Sequence, residues 1–199
     1  MKVIVVGATG TIGKAVVREL GSRHELIEVG HTRGRHQVDI TRMESVRALF
    51  AAVGKADAIV SAAGKVHFGP LAEMTSEQFQ IGLHDKLLGQ VHLALVAQHH
   101  LNDGGSITLT SGILSDDPIR YGAGASAVNA ALEGFVRGAA IELRRGLRIN
   151  AVSPTILQES LGAYGAYFIG FEAAPAQRVA LAYARSVDGA QTGQVYKVS

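Results

Sequence analysis

At 199 residues, with 47% hydrophobic and 18% charged side chains, the chain can bury one substantial core and lacks the low-hydrophobicity, high-charge signature of disorder. Its net charge of +2 and scattered Lys and Arg provide no basic stripe for a nucleic-acid backbone, so nucleic acid is not an expected partner. With no Cys there is no disulfide, thiolate nucleophile or Cys-based metal centre, in keeping with a reducing cytoplasm.

The chain opens with one charge and a short apolar run, Met1-Lys2-Val3-Ile4-Val5-Val6, too short for a secretory core or a membrane span. It predicts a buried strand over residues 2–6. Directly after it comes Gly7-Ala8-Thr9-Gly10-Thr11-Ile12-Gly13, with a helix expected from Thr11. Three Gly at a spacing of three, between a strand and a helix, match a diphosphate turn. The first permits the tight turn, the second lets the backbone approach the anion, and the third lets the helix lie on the sheet. The anion would cap the helix N-terminus, where free N–H groups and the dipole favour negative charge.

A second strand is expected over residues 25–29. Where a carboxylate would accept the ribose hydroxyls of NAD, the chain reads Gly30-His31-Thr32-Arg33-Gly34-Arg35. A cation in place of the acid predicts pairing of Arg33, with Thr32 and Arg35 beside it, to a 2′-phosphate, hence NADP in preference to NAD. Val38-Asp39-Ile40 then offers Asp39 and Ile40 to the adenine.

Helices are expected from Met43 and Ser76, strands over residues 58–60 and 106–110. A long helix rich in Ala and Gly is expected over roughly residues 123–144, suited to a deep position or a subunit interface. Strands over 147–152 and 194–198, with a helix from Pro175 between them, complete the pattern. Short β-branched runs alternating with amphipathic stretches predict an α/β fold, a doubly wound parallel sheet with helices on both faces, as a single dinucleotide-binding Rossmann domain over residues 1–199. Residues 161–171, where Tyr164, Tyr167, Phe168 and Phe171 alternate with Gly, suit a substrate lid or surface packing. Phe68 and Leu114 are further expected pocket walls. The eight His show no zinc-helix spacing, so no metal is expected. Asp116-Asp117-Pro118 suits a turn at the pocket rim.

The Gly turn, Val38-Asp39-Ile40, Ser61-Ala62-Ala63-Gly64, Thr108-Leu109-Thr110-Ser111, Tyr121 and Arg148-Ile149-Asn150-Ala151-Val152-Ser153-Pro154 occur in an order that resembles the short-chain dehydrogenase/reductase family over essentially the whole chain. The resemblance implies a seven-stranded sheet, hydride transfer between NAD(P) and a small carbonyl or alcohol, and a homodimer or homotetramer built on the long helices. It places Ala62, Ala63 and Gly64 beside the cofactor, and Pro154 and Ile156 beside the nicotinamide, with Thr155 in place of a Gly. It implies that Ser111 orients the substrate oxygen and Tyr121 handles the proton. The family's Lys, four residues after the Tyr, would fall on Ala125, and its helical Asn on Lys86. Lys86 is accordingly expected to supply the missing positive charge, against the plainer readings of a solvated helix cation or a partner of Asp85 or Asp117. The missing Lys also motivates a second expectation, a cofactor-binding regulatory or scaffold protein without turnover.

Overall fold

In a computed structural model describing residues 1–199, seven parallel strands form one sheet in the order β3-β2-β1-β4-β5-β6-β7. The strands are β1 (Lys2–Val6), β2 (Glu25–Gly30), β3 (His36–Gln37), β4 (Ala56–Ser61), β5 (Leu101–Thr110), β6 (Arg148–Pro154) and β7 (Val195–Val198). Six match the expected runs to within a few residues. β3, only two residues long, has too little apolar periodicity to be read from sequence; it forms because Val29 and Gly30 offer it an edge.

The sheet is apolar on both faces, as parallel strands must be, and divides the core in two. Helices α1 (Thr11–Leu20) and α7 (Ala176–Asp188) cover one face with Val16, Leu20, Val179 and Tyr183, all fully buried. On the other face lie α2 (Met43–Val53), α4 (Gly89–His100) and α5 (Ala123–Glu142), meeting through Phe50, Leu93, Leu132 and Val136.

The helix expected from Ser76 is compound: α3 (Ser76–Ile81), a π-helical stretch over Gly82–Leu88, then α4. A reciprocal capping box starts it, Thr75 accepting from the Gln78 amide and Gln78 from the Thr75 amide, a device worth about 1 kcal/mol. Glycines bracket the π stretch because neighbours leave no room for a Cβ, which would lie 3.0 Å from Val128 at Gly82 and 2.6 Å from Ile40 at Gly89. Gln90, fully buried, clamps the helix to the end of β5 by accepting from the Thr110 amide and donating to the Thr110 and Lys86 carbonyls. π stretches re-aim side chains and are frequent at functional sites; this one carries Lys86. No helix is long and apolar enough to cross a membrane.

Candidate active site

The carboxyl ends of the strands open onto a row of cavities, as expected where the strand order reverses between β1 and β4. The three glycines of the first turn have three different environments. A Cβ on Gly7 (φ +81°) would sit 2.6 Å from the Ala62 carbonyl oxygen, and one on Gly13 would sit 2.0 Å from that of Gly7. On Gly10 a Cβ would meet only the Gly7 oxygen, at 3.4 Å, so its outer side is open. Two glycines are therefore required by protein packing and the middle one leaves room for something outside the protein. Gly10 is also the N-cap of α1, where no side chain caps the helix and no acidic residue occupies the first turn, an arrangement suited to an anion over Thr11 and Ile12.

One flanking cavity is lined by Gly7, Asp39, Ile40, Ala63 and Gly64, another by Thr9, Arg33 and Arg35. Neither Arg33 nor Arg35 has an ion-pair partner, so both cations are available to a ligand. Thr32 is exposed and lines neither cavity, so the structure does not bring it to the place expected beside Arg33. The Asp39 carboxylate accepts from the Thr41 hydroxyl and amide, and the hydroxyl bond holds its pKa below the usual carboxylate range.

The central cavity, of about 260 Å³, is lined by Ile12, Ala62, Ala63, Gly64, Pro154 and Ile156 on one side. Phe68, Leu114, Tyr164 and Phe168 form its aromatic and aliphatic wall. The Tyr164 and Tyr167 rings lie 5.9 and 6.3 Å from that of Phe68, so the Gly-punctuated stretch expected as a lid, which contains α6 (Leu161–Tyr164), does pack over this opening.

On the cavity floor the structure brings Lys86 and Ser111 together. The Lys86 Nζ donates to the Ser111 carbonyl oxygen at 2.8 Å. Its stem passes over Gly64 (φ +127°), where a Cβ would lie 2.8 Å from Lys86 Cγ. Burial pushes the Lys86 ammonium down to about 8. Neither suggested carboxylate pairs with it: Asp85 accepts from the Lys65 amide, and Lys86 takes part in no ion pair. Asp116 and Asp117, expected at the pocket rim, lie outside this cavity's lining, and Asp116 is 3.1 Å from Lys197.

The Ser111 hydroxyl donates to Glu133 at 3.0 Å. Glu133, 3% exposed on α5, also accepts from Ser115 at 2.7 Å and lies 3.4 Å from Arg137. A carboxylate only accepts, so the Ser111 hydrogen points away from the cavity in this arrangement.

Tyr121 is not brought to this site. It precedes α5, takes a left-handed conformation (φ +66°), is 42% exposed and lies outside the cavity lining, its ring edge-on to Tyr167 at 6.1 Å. The expected proton-handling position of Tyr121 is thereby corrected: α5 starts only after Gly122, so its first cavity-facing turn begins later. The α5 side chains that line the cavity are Ala125 and Asn129, one helical turn apart. Asn129 was not singled out from sequence. It is 3% exposed, its carboxamide makes no hydrogen bond within the protein, and its Oδ1 is buried and unpartnered. Gly112 gives it space, since a Cβ there would lie 2.9 Å from Asn129 Nδ2. Glu133, one turn further on, was not singled out either; the i, i+4, i+8 spacing of Ala125, Asn129 and Glu133 was the available signal.

Residues 4–196 match the family profile described as Enoyl-(Acyl carrier protein) reductase. Among curated proteins, the hydroxynaphthalene reductase arp2 of Aspergillus fumigatus is 31% identical over 142 residues, 67% of this chain and 52% of that protein. The chain spans about half to two thirds of the length of the first such relatives it matches. Among solved structures, the protein lin1944 from Listeria innocua superposes with a TM-score of 0.98 at 46% identity over the whole of both chains. A small-chain dehydrogenase in complex with NADPH superposes with a TM-score of 0.89 at 26% identity, over 100% of this chain and 96% of that one.

Proposed function

The chain belongs to the short-chain dehydrogenase/reductase family, and from that membership we propose that it reduces a small carbonyl compound with NADPH. The observation that carries the reading is the continuity of the cavities. Arg33, the glycine turn and the pocket holding Lys86 follow one another along the strand ends, through cavities that share Gly30 and then Ala63 and Gly64, in the order that 2′-phosphate, diphosphate and reacting ring require. The open outer side of Gly10 and the uncapped start of α1 fit a diphosphate.

When bound, the reduced nicotinamide supplies a hydride to the carbonyl carbon. The protein's part is to bind, orient and protonate. Gly7, Thr9, Gly10, Thr11, Ile12 and Gly13 would hold the diphosphate, Arg33 the 2′-phosphate, Asp39 and Ile40 the adenine. Ala62, Ala63, Gly64, Pro154 and Ile156 would hold the nicotinamide end. Phe68, Leu114, Tyr164 and Phe168 give the substrate pocket an apolar wall suited to a flat, largely hydrocarbon ketone or aldehyde. The hydroxynaphthalene reductase named above acts, by its name, on a flat aromatic molecule. Ser111 and Lys86 line the same floor, where the carbonyl oxygen would lie. The expected dimer or tetramer would use the outer faces of α4 and α5, where Leu95 is 43% and Ile141 89% exposed.

Calorimetric titration with NADPH and NADH, followed by NADPH consumption against tetralone, naphthaldehyde and small aliphatic aldehydes, tests the proposal. Binding of NADPH in preference to NADH and consumption with an aromatic carbonyl are the expected results. Binding with no consumption across the panel would turn the reading to the regulatory alternative.

A further inference from the structure

Granting the carbonyl-reductase reading above, on which this inference rests, we propose that Lys86 delivers the proton to the substrate's carbonyl oxygen, with Asn129 as the second donor to that oxygen, in place of a tyrosine. A phenol and an ammonium four residues apart are what the family resemblance leads one to seek on α5. The two α5 positions that face the cavity at that spacing hold Ala125 and Asn129, which have no proton to give. Tyr121 lies outside the lining.

The lining contains two titratable side chains, Lys86 and Tyr164. Tyr164 belongs to the short α6, is 45% exposed and has its ring 5.9 Å from that of Phe68, as part of the wall. Lys86 rises from the floor with its nitrogen 2.8 Å from the Ser111 carbonyl oxygen. An ammonium has three N–H groups; that bond occupies one and leaves the others for a ligand. The Ser111 hydroxyl already donates to Glu133, so it serves a substrate oxygen poorly as a donor. Asn129, buried and without a partner, has an amide left for that oxygen.

The charged groups around Lys86 leave its proton transferable. On its own element, His84 is exposed and Asp85 accepts from the Lys65 amide. From the loop after β4 comes Lys65, and from the lid Tyr164. From α5 comes Glu133, engaged with Ser111, Ser115 and Arg137. No carboxylate pairs with the ammonium, and burial brings its acidity close to neutral pH, the range in which a general acid works best.

In the step, the hydride that a bound reduced nicotinamide would supply forms a new C–H bond at the carbonyl carbon as its own C–H bond breaks, and the carbonyl π pair moves to the oxygen. The oxygen takes the proton of one Lys86 N–H as that bond breaks and an O–H bond forms. The electron pair stays on Nζ, which is reprotonated by water, and the alcohol leaves.

The test uses the full chain with NADPH and tetralone or naphthaldehyde. For the wild type, kcat/KM for reduction should fall above about pH 8 as Lys86 loses its proton. Lys86→Met should lose about a hundredfold or more in turnover with NADPH affinity unchanged, and Lys86→Arg should move the falling limb to higher pH. Tyr164→Phe should keep the wild-type limb. Independently of turnover, NMR of protein carrying lysine isotopically labelled at Cε should show one resonance titrating near 8, absent from Lys86→Met. Reduction by Lys86→Met at close to the wild-type rate, loss of the limb in Tyr164→Phe, or no lysine titrating near neutrality would each overturn the assignment and leave the reductase reading standing. Failure of the wild type to reduce either carbonyl would sink the reductase reading and this inference with it.

Discussion

Lys86 and Ser111 are 25 residues apart in sequence and joined in the fold by one hydrogen bond of 2.8 Å, from the side-chain nitrogen to the main-chain carbonyl. The bond ties the π-helical stretch to the end of β5 and fixes where the only cation of the cavity lining points. It also places a partly desolvated amine in the native state, with consequences for stability as well as for chemistry.

Because burial lowers the folded-state pKa of Lys86 to about 8, the unfolded chain binds more protons than the native one from there up to the ordinary lysine range. Stability then rises with pH across that window, and at neutral pH the buried charge is a net cost. Lys86→Met is expected to be more stable than wild type near neutrality, with the difference shrinking above about pH 8. Urea unfolding midpoints across that range measure it, and parallel pH profiles for the two proteins would refute it.

The glycines of the first turn are expected to separate fold from binding. Gly13→Ala forces a methyl group to 2.0 Å from a main-chain oxygen and should destabilise by about 1–3 kcal/mol or more. Gly10→Val, at an extended backbone position (φ −77°, ψ 173°) with open space outside, should fold normally and lose NADPH binding. Thermal melts and calorimetry on both variants check the contrast.

Arg33, unpaired at the end of β2, should govern choice between the two dinucleotides. A charge-assisted bond to phosphate is worth about 1.5–3 kcal/mol, so Arg33→Ala should lose roughly ten- to hundredfold in NADPH affinity with little change for NADH. Equal losses for both cofactors would remove Arg33 from the 2′-phosphate.

Tyr121→Phe is expected to leave turnover unchanged, since its ring packs against Tyr167 outside the cavity. A large fall in kcat in steady-state assays would return the phenol to the site.

Glu133→Gln keeps the size of the side chain but replaces a charged acceptor shared by Ser111 and Ser115. A loss of about 1–3 kcal/mol is expected from denaturant unfolding.

What the amino-acid order determined by itself is local. Residues 2–6 are too apolar and too β-branched to be anything but an inner strand, and Gly7 and Gly13 select a turn no bulkier residues permit, so the parallel sheet and its tight first turn were legible. Lys86 was legible as a cation in an unusual place, though not what holds it. The tertiary structure decided which face of α5 meets the cavity, because that depends on the helix starting after Gly122, a boundary that sequence patterns place poorly. A shift of a few residues at that start exchanges Tyr121 for Ala125 and Asn129. It also decided that a π-helical stretch turns Lys86 inward and that Glu133 takes the Ser111 hydrogen, since both arise from contacts between segments more than 20 residues apart, which no periodicity along the chain encodes.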